Sequence, residues 1–301
     1  MRVVVATDAL AGLSPRAASE TIARAFADRG AQVAVVPLGV DGEHLAAAAR
    51  AAAPAAVFSV AHTSQEAGDA LAGAAPGDDT TYVLDLTSAR VDDLGRGLFP
   101  PFGDDPAGAL LAARAAWEGR TLVALVPDAA QSRPLTGLDG HASTVLREAG
   151  ATLQEILTFD AAAERWAADL GLTSGPGAGA AGGLGLLIQA LGGRVVDPLT
   201  WLGEQFGLER TLGQADLIVT GAEWLDFHAR GGPVVQQVVA WGEGALRPVI
   251  AISGRNFISS RELRIAGFEE AYALKDGPGK DPATPEELAS GAARVATSWR
   301  W

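Results

Sequence analysis

The sequence predicts an α/β protein of two domains: a doubly wound parallel-sheet domain made from both chain ends, with a second α/β domain inserted. Three observations predict this. Short apolar runs rich in β-branched residues, such as Val3-Val4-Val5-Ala6-Thr7 and Leu217-Ile218-Val219-Thr220, read as strands buried on both faces. Helical segments alternate with them, which is the grammar of βαβ units. That grammar occurs at the start of the chain and returns near its end, around a less regular middle. The expected boundaries are residues 1–55 with 212–301 for the doubly wound (Rossmann or flavodoxin-like) domain. The inserted domain spans 56–211 and carries a glycine-rich loop.

Val3 to Thr7 is the first strand, with Asp8 at its carboxyl end. Ser14-Pro15 supplies an N-cap and a proline at the first helical position. Apolar spacing at Ala18, Ile22, Ala23 and Phe26 supports the helix, and Gly30 ends it. Gln32 to Leu38 is a second strand. In the middle, Tyr82 to Leu86 and Leu122 to Val126 read as strands, and Gly103 to Arg114 and Ala161 to Leu170 as helical. Leu184 to Leu191 is an apolar helix. Leu217 to Gly221 is again a strand, Val234 to Trp241 a helix, Pro248 to Ser253 a strand and Glu270 to Leu274 a shorter one. Pro285 to Ser298 is amphipathic and predicts a docked terminal helix.

Composition removes several function classes. The net charge of −13 opposes non-specific binding to nucleic acid or an anionic membrane. There is no cysteine, so disulfides, thiolate nucleophiles and cysteine metal sites are excluded. The four histidines, His44, His62, His141 and His228, show no zinc-ligand spacing, and no metal-ligand set is legible. The only lysines are Lys275 and Lys280, and no GxxxxGK[ST] phosphate loop occurs. No serine lies in a G-x-S-x-G context. The first residues lead straight into a strand and no transmembrane run is present, so a cytoplasmic protein is expected.

Two features carry chemistry. Gly175-Pro176-Gly177-Ala178-Gly179-Ala180-Ala181-Gly182-Gly183 contains small residues and a proline only, and precedes an apolar helix. Such a loop can bring backbone N–H groups to an anion. It can equally serve close packing, because glycine admits near approach of backbones. Gly177 to Gly182 also fits G-x-G-x-x-G, but a dinucleotide site needs a strand immediately before it, and here a helix and linker precede. The second feature is a set of acids at strand ends: Asp8, Asp41 with Glu43, Asp128, and Glu223 with Asp226. Ligands of open α/β sheets sit outside the carboxyl ends of strands. Acids there can act as bases or meet magnesium. Singly, each also reads as a helix cap or a solvated loop charge.

Val219-Thr220-Gly221 with Leu225-Asp226, and Gly175 to Gly185, resemble two signature segments of the bacterial two-domain glycerate kinase family. Val3 to Asp8 with Gly12-Leu13-Ser14 resembles its N-terminal strand and loop. Pro37-Leu38 with Gly42-Glu43 is similar to its second strand end, Pro134-Leu135-Thr136-Gly137 to an internal segment, and Pro248 to Gly254 to a late core strand. The resemblance covers most of the chain and is strongest from Gly175 to Leu274. It implies two α/β domains with the active site between them, and phosphorylation of glycerate by ATP with Mg2+. It further implies Asp8 and Asp226 as catalytic residues, with Gly177, Gly179, Gly182, Gly183, Glu43 and Arg230 binding substrate or phosphate. The sequence also departs from the pattern. Asp8-Ala9-Leu10-Ala11 stands where the family has Asp-Ser-Phe-Lys. Trp224 stands where it has arginine, Gly231-Gly232 where it has a basic Gly-Lys, and an asparagine-rich loop has no counterpart. Two functions therefore remain open. One is a kinase acting on glycerate or another small hydroxy acid; the other is a non-catalytic member, a pseudoenzyme, binding a small anion, a nucleotide or a protein. Whether an arginine replaces the missing lysine separates them.

Overall fold

The computed structural model describes residues 1–74, 80–277 and 279–299. The chain forms two compact units, Met1–Ala53 with Leu199–Trp301, and Pro54–Pro198. The fold class is the expected one: both chain ends build one α/β unit, and the middle builds a second.

Strand β1 (Arg2–Thr7) leads to helix α1 (Pro15–Ala27). Ser14 caps α1 by accepting the Ala17 N–H, and α1 buries Ala18, Ile22, Ala23 and Phe26. Strand β2 (Gln32–Pro37) and helix α2 (Gly42–Ala52) follow. The second unit then contributes β3 (Val57–Val60), α3 (Ser64–Gly73), β4 (Thr81–Asp85), α4 (Pro106–Trp117), β5 (Thr121–Leu125), the short α5 (Asp128–Gln131), α6 (Leu153–Asp169), α7 (Leu184–Ala190) and β6 (Arg194–Val196). Its sheet is parallel throughout, in the order β3-β4-β5-β6.

Helices α8 (Pro198–Gln205) and α9 (Leu208–Gly213) come next, then β7 (Leu217–Leu225), α10 (Pro233–Ala245), β8 (Val249–Asn256), α11 (Ser260–Ile265), β9 (Glu270–Ala273) and α12 (Pro285–Ser298). The terminal helix starts in a capping box between Thr284 and Glu287. This sheet is also parallel, in the order β2-β1-β7-β8-β9. Val3, Val4 and Val5 pair with Leu217, Ile218 and Val219, so the two chain ends share one sheet. Among the described residues, no helix is long and apolar enough to cross a membrane.

The second unit boundary falls at 198/199, ahead of the expected 211/212. The intervening residues are α8 and α9, which pack with α10. A Cβ at Gly203 on α8 would lie 3.1 Å from the Trp241 ring on α10. No strand marks the crossing, so the boundary leaves no periodicity signal.

Candidate functional site

The sheet order places a topological switch point between β1 and β7. The chain leaves β1 toward β2, whereas β7, β8 and β9 step away in the other direction. Ligand sites of open α/β sheets lie outside the carboxyl ends of strands at such a point. Asp8 follows β1 immediately.

Asp8 is held by two donors on a single oxygen. Its Oδ1 accepts the Ala9 N–H at 2.6 Å and lies 3.2 Å from His44 Nδ1. Burial raises its pKa above the ordinary carboxylate value. The Ala9 N–H and the imidazole of His44 oppose that rise, and the charge of Asp41 adds to it. No partner engages Oδ2 among the described residues.

Beside this pair lies a cavity of about 640 Å³, bordered by the loop 9–15 and by Glu43, His44, Ala46, Ala47 and Arg50 of α2. The α2 positions recur at helical spacing, so one face of the helix lines the cavity. Asp41 stands at the α2 N-cap in extended conformation. Of the residues expected from sequence, Glu43 borders the cavity, and Asp8 meets it through its contact with His44. His44 and Arg50 are not singled out by sequence, although their spacing from Glu43 along α2 is the signal that could find them.

Glu223, on β7, is an organising residue. Its Oε2 accepts the Ala11 N–H at 2.9 Å, and its Oε1 accepts the Ala283 N–H. One carboxylate therefore ties the loop after β1 to the segment before α12. Ala11 adopts φ +56 there and is fully buried among apolar residues. The position where the resemblance implies a lysine is thus part of the core. Arg255, which pairs with Trp224 in the β7–β8 register, is a cation already committed. Its Nη1 donates to the carbonyls of Asp276 and Gly277 at 2.7 and 2.8 Å, and its Nη2 lies 3.4 Å from Asp281. Trp224, where the resemblance implies an arginine, stacks on Phe257 with 6.2 Å between ring centroids.

The loop after β7 holds the other two predicted residues of this unit. Asp226 Oδ1 accepts the N–H groups of His228 and Ala229, at 2.8 and 2.7 Å, which closes a turn. Arg230 is exposed, with φ +46, and borders a different cavity with Gln236, Glu243 and Phe268. Arg230 therefore lines a different cavity from Ala9 and His44, the neighbours of Asp8.

The glycine-rich segment belongs to the second unit. It forms a 3-10 turn (Ala180–Gly183) leading into α7, as the sequence predicts of a loop entering a helix. Gly177, Gly179, Gly182 and Gly183 are all buried. A Cβ would lie 2.2 Å from the Pro134 carbonyl oxygen at Gly179 and 2.1 Å from that of Val91 at Gly182. At Gly177 and Gly183 the nearest atoms would be at 3.0 and 3.2 Å. The N–H groups of Ala178, Gly179 and Ala180 donate to the carbonyls of Gly175, Arg133 and Gly177. Those donors are spent within the fold rather than offered to an anion. Pro134-Leu135-Thr136-Gly137 is the facing surface: the Leu135 N–H donates to Ser174 Oγ, and the His141 ring donates from Nδ1 to the Gly179 carbonyl at 3.1 Å. Two segments that resemble family signatures are therefore two sides of one packed contact.

Residues 122–299, more than half of the chain, match the sequence profile of the glycerate kinase family. The whole chain is also similar to the crystal structure of "putative glycerate kinase 2" from Salmonella typhimurium LT2. That likeness has a TM-score of 0.72 at 18% identity and covers 99% of this chain and 98% of the other; it bears on fold alone. Two curated relatives, the uncharacterized proteins Mb2228c of Mycobacterium bovis and MT2261 of Mycobacterium tuberculosis, are each 28% identical over 233 residues. The match covers 75% of this chain but 59% of each relative's length. From the profile match and the doubly wound architecture together, the chain belongs to the glycerate kinase family.

Proposed function

We propose that the chain transfers a phosphoryl group from ATP to a hydroxyl of a small hydroxy acid of the glycerate class, with Asp8 as the base. The observation that supports this is the Asp8–His44 pair at the switch point, beside a cavity. Phosphoryl transfer needs the acceptor hydroxyl placed in line and its proton taken up as the oxygen attacks. Asp8 suits that task. With Oδ1 occupied by the Ala9 N–H and His44, Oδ2 is the oxygen free to receive the proton. Burial makes it a stronger base than a surface carboxylate.

Mg2+ with ATP would supply the transferable group and the positive charge that stabilises it in flight. Magnesium is usually bound through one or two carboxylates together with the nucleotide phosphates. Glu43 on the cavity wall and Asp41 at the α2 N-cap fit that habit, and no larger acidic or histidine cluster occurs among the described residues. His44 fixes the Asp8 carboxylate and faces the cavity.

A non-catalytic reading draws on a specific observation. Ala11, Trp224 and Gly231-Gly232 remove the cations the family places here, and Arg255 is committed to the segment 276–281. Losing one fixed electrostatic donor costs about 10²–10³ in rate. Turnover of D-glycerate below about 1 s⁻¹, the lower end of the ordinary range for enzymes, is therefore expected. A coupled assay with ATP, Mg2+ and a panel of hydroxy acids tests the kinase reading. Asp8→Asn should abolish turnover while the protein stays folded, and unchanged turnover in that variant would overturn the role of Asp8. Binding of an acid with no turnover by the wild type would establish the non-catalytic reading.

A further inference from the structure

We propose that Arg50 anchors the carboxylate of the acceptor, and that the acceptor is a hydroxy acid of five or six carbons, an aldonic acid rather than glycerate. This rests on the reading of Asp8 as the residue that meets the acceptor hydroxyl.

The argument begins with what lines the cavity. Helix α2 presents Glu43, His44, Ala46, Ala47 and Arg50 to it. Ala46 and Ala47 in the middle of that face leave an open floor, with the polar groups at its two ends. At the near end, His44 and Asp8 satisfy each other. At the far end Arg50 is exposed and makes no hydrogen bond or ion pair among the described residues. It is therefore a guanidinium with its planar fork available, the geometry that carboxylates favour.

Charge then sets the ligand's direction. Without Mg2+, Glu43 and Asp8 lie at the same end as bare carboxylates, so a ligand carboxylate is repelled there and attracted to Arg50. A hydroxyl has the opposite preference, since it donates to a carboxylate. A hydroxy acid thus lies along the helix with its acid at Arg50 and its reacting hydroxyl at Asp8.

Length follows from helix geometry. His44 and Arg50 are six residues apart, about 9 Å along the helix axis. The carbon chain of a three-carbon acid spans about 2.5 Å, at roughly 1.25 Å of advance per 1.5 Å bond, and that of a six-carbon acid about 6 Å. The longer acid, with its terminal groups and the hydrogen bonds at each end, fits the gap. Volume agrees. Glycerate has seven heavy atoms, which at the packing of liquid water fill about 200 Å³. The cavity holds about 640 Å³.

The test uses binding, so it needs no turnover. Calorimetric titration of the full chain with D-gluconate, with D-glycerate and with ATP–Mg2+ is compared between wild type, Arg50→Gln and Arg50→Lys. Expected are gluconate binding at least tenfold tighter than glycerate, and an Arg50→Gln loss of about ten- to a hundredfold for gluconate, the effect of one charge-assisted contact. Arg50→Lys should recover part of that loss, and ATP should bind all three proteins equally. Gluconate binding no tighter than glycerate, or unchanged in Arg50→Gln, would overturn the proposal. So would a loss confined to ATP, which would assign Arg50 to the nucleotide. If Arg50-dependent gluconate binding is found without phosphorylation by ATP, the anchor stands and the kinase reading fails.

Discussion

Replacing Gly179 with alanine tests whether the glycine-rich segment is held by packing. Gly179 has φ −82, a conformation alanine adopts freely, so no backbone penalty arises. The whole effect is steric. The new Cβ would lie 2.2 Å from the Pro134 carbonyl oxygen and 2.8 Å from its carbon, against 3.4 Å or more for ordinary contact. Two backbones must separate by about 1 Å in an interior packed like a crystal. Three hydrogen bonds cross or brace that contact: the Gly179 N–H to the Arg133 carbonyl, the His141 ring to the Gly179 carbonyl, and the His141 N–H to the Pro134 carbonyl. At about 1 kcal/mol each they contribute about 3 kcal/mol. Overpacking alone costs about 1–3 kcal/mol. A loss of about 4 kcal/mol is expected, a large part of the 5–15 kcal/mol that stabilises a typical domain. Thermal unfolding should move down by about 8–16 °C. The control is Gly12→Ala, where φ is +70 and no atom lies within 4 Å of the added Cβ. That change should cost only about 1–2 kcal/mol, from the left-handed backbone. A Gly179→Ala loss no larger than the control's would refute the packing argument and return the loop to a ligand-binding explanation.

Glu223→Gln should cost about 2–4 kcal/mol in urea unfolding, because a charged acceptor of two backbone N–H groups becomes an amide. Asp8→Asn should raise the unfolding temperature at pH 7–8. The raised Asp8 pKa means that its contribution is present at low pH and lost as pH rises through the folded value. The gain should shrink on acidification, and a gain that grows instead would contradict the burial argument. His141 has the reverse sign. Burial lowers its pKa from 6.5, so its stabilisation is full above about that pH and lost as pH falls through the lower folded value. Wild type should therefore lose stability in that acidic range more steeply than His141→Gln, as monitored by thermal unfolding across pH.

The fold was legible where strands are buried on both faces. Val3 to Thr7 and Leu217 to Thr220 contain no polar interruption except threonine, and they share one sheet, as the two-ended domain predicts. Helix α2 escaped notice because Ala46 to Ala49 carry no apolar contrast between faces, and β3 because Val57 and Val60 are exposed. The site was legible as residue types and not as partnerships. Asp8 stood out as an acid after a strand. That His44 would hold its Oδ1 depends on where α2 begins, and Asp41 at the N-cap makes no side-chain capping bond that would mark that start in sequence. Asp226 has the same signature in sequence, and the structure uses it to close a turn. Glu223 was visible as a strand-end acid, but its bond to Ala283 joins residues 60 positions apart, beyond the reach of local pattern.

Strand β1, an interior strand of the first unit's sheet, is synthesised well before β7, which completes its pairing. Arg2 and its partner Asp216 are 214 residues apart. At about 5–20 residues per second, β1 waits about 10–40 s for the strand that completes its pairing. During that wait Pro54–Pro198 can finish its own sheet, whose four strands all come from that stretch. Once folded, that unit removes most of the slack between the halves of the other. The loop to be closed shrinks from about 210 flexible residues to about 70, which lowers the closure cost by about 1 kcal/mol. The insertion is thus an aid to nascent-chain folding: a variant lacking Pro54–Pro198, with the cut joined by a flexible linker of 145 residues, should refold more slowly and aggregate more.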